Sequence, residues 1–524
     1  MNPQSWLHHE PVILALALLV GIALERSRIP TALPALLAVL SAVSVVAVIA
    51  LIVNHVKFPF FIDLMEGVVM QHARRAMHGQ SIYAVPTPEF VPLAYNALFY
   101  LLAVPFLLLF GDTLSTLRSV AVVGFLGSAV AMFVIVRATT RSAWWGAIAV
   151  GLFCAAYPAM DAYLDSAHSD SWLLCSALWG TYLVGRPSHG ARIAGILALL
   201  GAFWFKQHGA VFLGVALLFL TWREGLPRAL VYWLVAIALG PLLYLFAPTP
   251  IFGPEFHYFT WVVPSGWSLL TTRTFYRVAQ YAKTYYPVLV LAAVASAYRA
   301  FRSKKVDILE LQLGAALLTA LMGSLDPGSS NNVFIPFSAF CILCGSIELA
   351  RIDQAGPIWL GMRPALLVVL LAFATLLRDP RTYWLPASAR ASYADLQATI
   401  RALPGTVYAP GIGQLVDGPR LYPAAHWVAL EDMMRGQHRS AADSALARRM
   451  LDPLRHPSTP AFVLTNRPLA TMSAPTSELA ASYELVQDYG DRFTPLKAVP
   501  RPYLAGWPRY LYRSIGAGAP AHVP

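Results

Sequence analysis

The chain has 524 residues, 57% of them hydrophobic and only 12% charged, with a formal net charge of +11. Charged residues make up roughly a quarter of an ordinary soluble domain, so this composition, at a mean hydropathy of +0.57, excludes one. A nucleic-acid partner is not implied either, because the basic residues sit mostly in short connections between apolar runs, where membrane topology accounts for them.

The N-terminus lacks the Lys/Arg stretch and small-residue cleavage site of a signal peptide, so the first apolar run is expected to be retained. Membrane-spanning segments are predicted at 11–25, 31–53, 115–136, 142–160, 170–185, 191–205, 209–222, 229–247, 284–300, 308–324, 332–350 and 362–378. The expected fold class is a polytopic α-helical membrane protein of about 11–13 transmembrane helices over 1–378. After Arg378 no spanning run remains, and Pro, Arg, Asp and Ser become frequent, so 379–524 reads as a separate soluble α/β domain.

The second span leads into a long loop, 54–114, that opens Phe58-Pro-Phe-Phe-Ile-Asp-Leu-Met-Glu-Gly67. Desolvating a charge at a membrane boundary costs about 3 kcal/mol or more, which makes Asp63 and Glu66 functional candidates. Their i, i+3 spacing would put both carboxylates on one helical face, able to share a cation or a substrate hydroxyl. The competing reading is an interfacial loop with two solvated acids. Val68–His78 is predicted as an amphipathic helix capped by Gly79. Tyr83-Ala-Val-Pro86, Pro88 and Pro92 then give an extended path to Tyr95-Asn96.

The apolar stretch 93–110, interrupted by Pro105, decides the topology. If it lies along the interface, Arg26/Arg28, Arg137/Arg141, Arg186/Arg192, Arg223/Arg228, Arg299/Arg302/Lys304/Lys305 and Arg351/Arg363 all share one side, which is then cytoplasmic. If it crosses, those pairs scatter. The non-crossing arrangement puts Asp63, Glu66, Asp161, Asp165, Asp170, Lys206, His208 and Asp326 on the opposite face, with the loop 248–283 and the soluble tail. Polar residues converging at one end of a membrane body suggest a single reaction or transport site.

Several of these residues also have plainer readings. Lys206 could snorkel to the interface, Asp170 could cap the helix from Ser171, and His168 and His208 could be packing histidines. Arg273, Arg277 and Lys283 could meet phosphate or lipid headgroups, or be solvated, and Asp161 and Asp165 read as solvated. Cys341-x-x-Cys344 has redox-like spacing, but inside a span it reads as packing, with Cys154 and Cys175. In the tail, Tyr393–Leu403 reads as a helix, and Thr406–Ala409, Ala461–Thr465 and Tyr483–Asp488 read as strands. Gly411-x-Gly413 lacks the third glycine of a nucleotide-binding turn.

The order Asp63-x-x-Glu66-Gly67, Ala73, His78-Gly79-Gln80-x-x-Tyr83, Pro86 and Pro92-x-x-Tyr95 resembles the first extracytoplasmic loop of GT-C membrane glycosyltransferases. Within that superfamily it is similar to the bacterial branch related to protein O-mannosyltransferases and the lipid A aminoarabinose transferase. Leu109-Phe110-Gly111 with Arg118, Asp170 opening a span, Lys206-Gln207 at a helix break, and Gly328-Ser-Ser-Asn-Asn332 before an apolar helix fit the same pattern. Relatives carry adjacent acids, whereas here Asp63 and Glu66 are separated, with Glu66 at the family's Glu position.

The resemblance implies an inverting-type hexosyl or pentosyl transfer from a polyprenyl-phosphate donor to a lipid, glycan or protein hydroxyl on the extracytoplasmic face of the bacterial inner membrane. A carboxylate base is required, for which Asp63 or Glu66 fits. Asp170 would orient the acceptor or help hold a metal. Lys206, with Gln207 and His208, would hold the donor phosphate, and Tyr83 and Tyr95 would line the acceptor loop. The only cofactor it implies is a divalent cation, Mg or Mn, on Asp63 and Glu66. A transporter or flippase for a lipid-linked sugar is the alternative from another class, but the sequence has no paired repeat. Ligases of the O-antigen type rely on Arg and His in a late loop, a weaker match here.

Topology gives a direct test. Reporter fusions at Gly79 and Gly405 are both expected to give extracytoplasmic signals, and a cytoplasmic signal from either overturns the arrangement.

Overall fold

The computed structural model describes residues 10–27, 31–63, 65–246, 249–266, 271–325, 329–356, 362–410, 421–426, 429, 441–472, 476–498 and 508–515. Its body is a bundle of apolar helices: α1 (Glu10–Glu25), α2 (Ala32–Val56), α3 (Glu66–Met77), α4 (Leu98–Phe110), α5 (Leu114–Thr140), α6 (Ala143–Ala155), α7 (Asp170–Val184), α8 (His189–Phe205), α9 (Gly209–Glu224), α10 (Leu226–Ile237, continued to Leu245), α11 (Thr272–Tyr285), α12 (Pro287–Arg302), α13 (Ile308–Gly323), α14 (Ile335–Gln354) and α15 (Pro364–Leu376). Helices Ala32–Val56, Leu114–Thr140, Leu226–Leu245 and Asn331–Gln354 are each long and apolar enough to cross a bilayer. This is a polytopic helical membrane protein, as the composition required.

Burial separates the centre from the rim. Helix α14 is buried almost throughout, whereas α2 exposes Val39, Val43, Val46, Ile49 and Val53, a stripe that hydrocarbon rather than water can cover. Serines inside α2 bond back to their own helix, Ser41 to the Leu37 carbonyl and Ser44 to the Leu40 carbonyl, which satisfies them without a partner helix.

The bundle has two chemically distinct ends. At one, Arg192 pairs with Glu224, Arg299 and Arg351 with Glu348, and Arg363 with Asp353. At the other lie the end of α2, the start of α7, the end of α8 and the start of α14. Arg118, in the second turn of α5, donates to the His55 and Phe58 carbonyls at the end of α2. The end of α2 and the start of α5 therefore share one end of the bundle, and α4 does not traverse it.

The loop between α2 and α5 is ordered as expected. Helix α3 runs Glu66–Met77 where the sequence suggested Val68–His78, and Gly79 follows with φ +67°. The segment 248–283, expected as a loop, contains the amphipathic helix α11, capped by a reciprocal Thr271–Thr274 pair.

The soluble domain contributes α16 (Ala387–Ala402), α17 (Ala441–Arg455) and a sheet of β1 (Thr406–Tyr408), β2 (Ala461–Thr465), β3 (Tyr483–Asp488) and β4 (Tyr510–Ser514). The strand order is β1-β2-β4-β3, with β1 and β2 parallel and the other pairs antiparallel. Strand β4 and helix α17 had no clear sequence signal. Asp326, Gly328, Gly411 and Gly413 lie outside the described residues.

Candidate functional site

The geometry of Asp63 and Glu66 corrects the helical-face reading. Helix α3 begins at Glu66, so Asp63 precedes it and the i, i+3 spacing does not align the two carboxylates. Both are fully buried, but they serve different partners. Glu66 receives Arg118 through both oxygens, Nε to Oε1 at 2.8 Å and Nη2 to Oε2 at 2.7 Å. Backbone N–H groups of Ile62 and Ala167 donate to the same carboxylate at 2.9 and 3.2 Å. Arg118 completes its fork on the carbonyls of His55, Phe58 and Phe60. A bidentate, desolvated pair of this kind fixes geometry and leaves Glu66 no lone pair directed at a substrate.

Asp63 opens a different network. Its Oδ2 accepts from the Tyr163 hydroxyl at 2.8 Å, and its Oδ1 accepts from His168 Nε2 at 2.8 Å and from the Met65 N–H at 2.8 Å. The other nitrogen of His168 lies 3.7 Å from Asp170 Oδ2. Asp170 Oδ1 accepts from Lys206 Nζ at 2.7 Å, and Asn332 Nδ2 approaches Oδ2 at 3.5 Å. Asp63, His168, Asp170 and Lys206 thus form one buried chain of alternating carboxylates and nitrogen bases. His168, which read as a packing histidine, is its central link. The signal available in the sequence was His168-Ser-Asp170, with the histidine two residues before a helix start.

The plainer readings of Asp170 and Lys206 fail on the same contacts. Asp170 is the first helical residue of α7 and does not cap it. Lys206 is 4% exposed, so it does not snorkel. It sits in the break between α8 and α9, where Gly209 approaches so closely that an added Cβ would stand 2.3 Å from the Ala202 carbonyl. Its ammonium also lies 5.0 Å from the centre of the Tyr95 ring, close enough for a cation–π contact.

Gln207, proposed for the phosphate, donates instead to the Ala94 and Thr260 carbonyls at 2.8 and 3.0 Å, joining the loop to the segment after α10. His208 is half-buried, and burial together with Lys206 lowers its pKa to about 4, so its imidazole is neutral near pH 7. Tyr83 is fully buried and gives its hydroxyl to the Tyr95 carbonyl. It holds the loop and cannot face an acceptor, whereas the half-buried Tyr95 reaches the chain through Lys206.

Asp161 and Asp165, expected to be solvated, are committed. Asp165 is buried and takes His55 Nδ1 at 2.7 Å and the Tyr157 hydroxyl at 2.6 Å. Asp161, at φ 52°, accepts the N–H and side-chain amide of Asn331. Arg277 clamps Ser329 and Ser330, so it steadies the turn before Asn332. Arg273 and Lys283 are exposed on α11.

A divalent cation on Asp63 and Glu66 does not fit this donor set, because Arg118 and two backbone N–H groups occupy the Glu66 carboxylate. Among the described residues no group of three His, Cys, Asp or Glu side chains is arranged to hold a metal. A neighbouring cavity of about 410 Å³ is lined by Lys57, Phe60, Phe61, Arg74, Leu114 and Gln397, among others. None of the four chain residues lines it, so it is a recess on the other side of the 58–61 segment.

No protein-family model and no curated protein matches the sequence. Among solved structures, ArnT from Cupriavidus metallidurans in the apo state aligns with a TM-score of 0.50 at 15% identity, over 92% of this chain and 98% of that one. ArnT from the same organism bound to undecaprenyl phosphate aligns with a TM-score of 0.47 at 14% identity, over 92% and 99%. At such identity the first likeness shows a shared fold and nothing more specific.

The two carboxylates separate in a stability measurement. Glu66→Gln strands the buried Arg118 charge and is expected to destabilise the protein by about 3 kcal/mol. Asp63→Asn is expected to shift stability by about 1 kcal/mol or less. Thermal unfolding in detergent compares them, and equal shifts would remove the distinction.

Proposed function

We propose that this chain is an inverting glycosyltransferase of the bacterial inner membrane, with Asp63 as general base. It moves a sugar from a polyprenyl-phosphate carrier to an acceptor hydroxyl on the extracytoplasmic face. The observation that carries the reading is the buried chain Asp63–His168–Asp170–Lys206 at the end of the bundle away from the arginine pairs. A base and a fixed cation held in one network are what the reaction needs, since a proton leaves the nucleophile while negative charge develops on the leaving phosphate.

The step balances on these groups. The acceptor oxygen forms a bond to the anomeric carbon, its proton passes to Asp63, and the bond from that carbon to the phosphate oxygen breaks. Polyprenyl phosphate leaves as the anion. Tyr163, His168 and the Met65 N–H hold Asp63 in one orientation. Lys206, at the helix break, supplies positive charge toward the leaving group, and Asp170 keeps its ammonium in place. The four donors on the Glu66 carboxylate, two of them from Arg118, favour Asp63 over Glu66 as the base. The donor lipid would approach laterally from the bilayer, to a site framed by the ends of spanning helices.

Mass spectrometry of envelope glycolipids, glycans and glycoproteins from cells with and without the gene tests the assignment. The gene is expected to add one sugar modification. Complementation with Asp63→Asn should restore about a hundredfold less of it, the usual scale for acid–base catalysis. An unchanged glycan profile together with altered uptake of a lipid-linked sugar would favour transport and overturn the reading.

In the same complemented cells, Lys206→Ala is expected to lower product formation by roughly tenfold to a hundredfold, through lost stabilisation of the leaving anion, without loss of the protein from the membrane. Product formation at the wild-type rate would reduce Lys206 to a structural partner of Asp170.

A further inference from the structure

The segment between α2 and α3 carries Asp63 but has no helical ladder of its own. Its backbone is held from two sides. Arg118 of the membrane body takes the Phe58 and Phe60 carbonyls. From the soluble domain, the Tyr393 hydroxyl donates to the Phe61 carbonyl at 2.6 Å, two residues before Asp63, and Arg390 reaches the Lys57 carbonyl at 3.2 Å. At the end of α2, Asn54 exchanges two hydrogen bonds with the backbone of Leu385, and His55 Nε2 donates to the Tyr383 carbonyl at 2.7 Å.

The apolar contacts follow the same division. Phe58, Phe61 and Ile62 are buried in the core of the soluble domain, with Leu385, Tyr393, Leu396 and Phe493, and not in the core of the bundle. The Tyr393 ring lies 5.0 Å from Phe60 at 15° and 5.8 Å from Phe58 at 70°, one stacked and one edge-on contact. Tyr393 is fully buried, and burial raises its phenol pKa, so at neutral pH it is a permanent donor.

We propose that the soluble domain is the positioning element of the transfer site, with Tyr393 setting the Phe58–Ile62 segment and thereby the place of the Asp63 carboxylate. The inference rests on the proposed function for its catalytic consequence, but its mechanical part stands apart from it. A carboxylate base must be held to within about 0.5 Å of its productive position. The bonds on Asp63 itself fix its rotation. The carbonyl two residues earlier fixes where its backbone starts.

Full-length Tyr393→Phe tests this, with Tyr483→Phe as control. Both tyrosines belong to the C-terminal domain and lose a buried hydroxyl that donates to a backbone carbonyl, that of Phe61 in the membrane body for one and that of Leu454 within the domain for the other. Only Tyr393 touches the segment before Asp63. Hydrogen exchange of the peptide spanning 58–66 is expected to quicken about tenfold in Tyr393→Phe and to stay unchanged in Tyr483→Phe. Product formation in complemented cells should fall about tenfold in the first variant only, at equal protein levels, and Tyr393→Phe should cause no further loss in an Asp63→Asn background. Unchanged exchange, faster exchange with full product formation, or equal losses in both variants would each overturn the proposal. If wild type itself forms no product, the functional reading fails, and the exchange result still decides whether Tyr393 holds the segment.

Discussion

Arg118 is the residue on which the polar end of this bundle depends. Five donors in a planar fork are satisfied by the two Glu66 oxygens and by three carbonyls where the chain leaves the membrane. A fully buried guanidinium would cost several kcal/mol without a partner. The fold therefore has to bring the end of α2, the 58–60 turn, the start of α3 and the start of α5 to one point. Once they meet, α3 and α4 can only run along the end of the bundle. The Asp63 segment is then threaded between the membrane body and the soluble domain.

The arrangement separates two tasks that adjacent acids could share. Glu66 neutralises the structural arginine, and Asp63 is left to the His168 network. Had both carboxylates belonged to one network, a substrate proton or a cation would have competed with Arg118 for the same oxygens. The separation follows from where helix α3 begins. Glu66 at its first turn points back to Arg118, whereas Asp63, one turn of non-helical chain earlier, points toward the 163–170 segment. That segment supplies the His168 link because, after α6 ends at Ala155 and two 3₁₀ turns follow, the chain from Tyr163 to Asp170 stays buried.

The sequence exposed the parts of this that depend on composition and period. Apolar runs marked the bundle, Arg pairs marked one of its ends, and Val68–His78 with Gly79 marked α3 but left out its first turn at Glu66. Asp63, Asp170 and Lys206 were visible because a charge beside an apolar run stands out. Partnership was not legible. Nothing in the spacing of Glu66 and Arg118, 52 positions apart, announces a bidentate pair, and nothing local distinguishes Asp165 in a buried turn from a solvated acid. His168 was missed because its role exists only when Asp63 and Asp170 are brought to either side of it. Gln207 and Tyr83 carried family motifs but are consumed by backbone carbonyls, a use that a motif cannot reveal. In the soluble domain β1 and β2 are adjacent in order, but β4 comes from the far end of the chain and pairs between β2 and β3, a long-range contact with no local signature.

The soluble domain takes on a different meaning in this light. Its core is completed by Phe58, Phe61 and Ile62 from the membrane body, and the Asp63 carboxylate hangs from the same short segment. Burial of those three side chains and order at Asp63 are thus one event. A domain joined only by a linker would leave the loop to find its conformation against water and lipid, where carbonyls of an irregular segment at a membrane boundary find few donors. Arg118 and Tyr393 supply those donors from opposite sides. The segment that carries Asp63 is therefore held as much by the C-terminal domain as by the helical bundle.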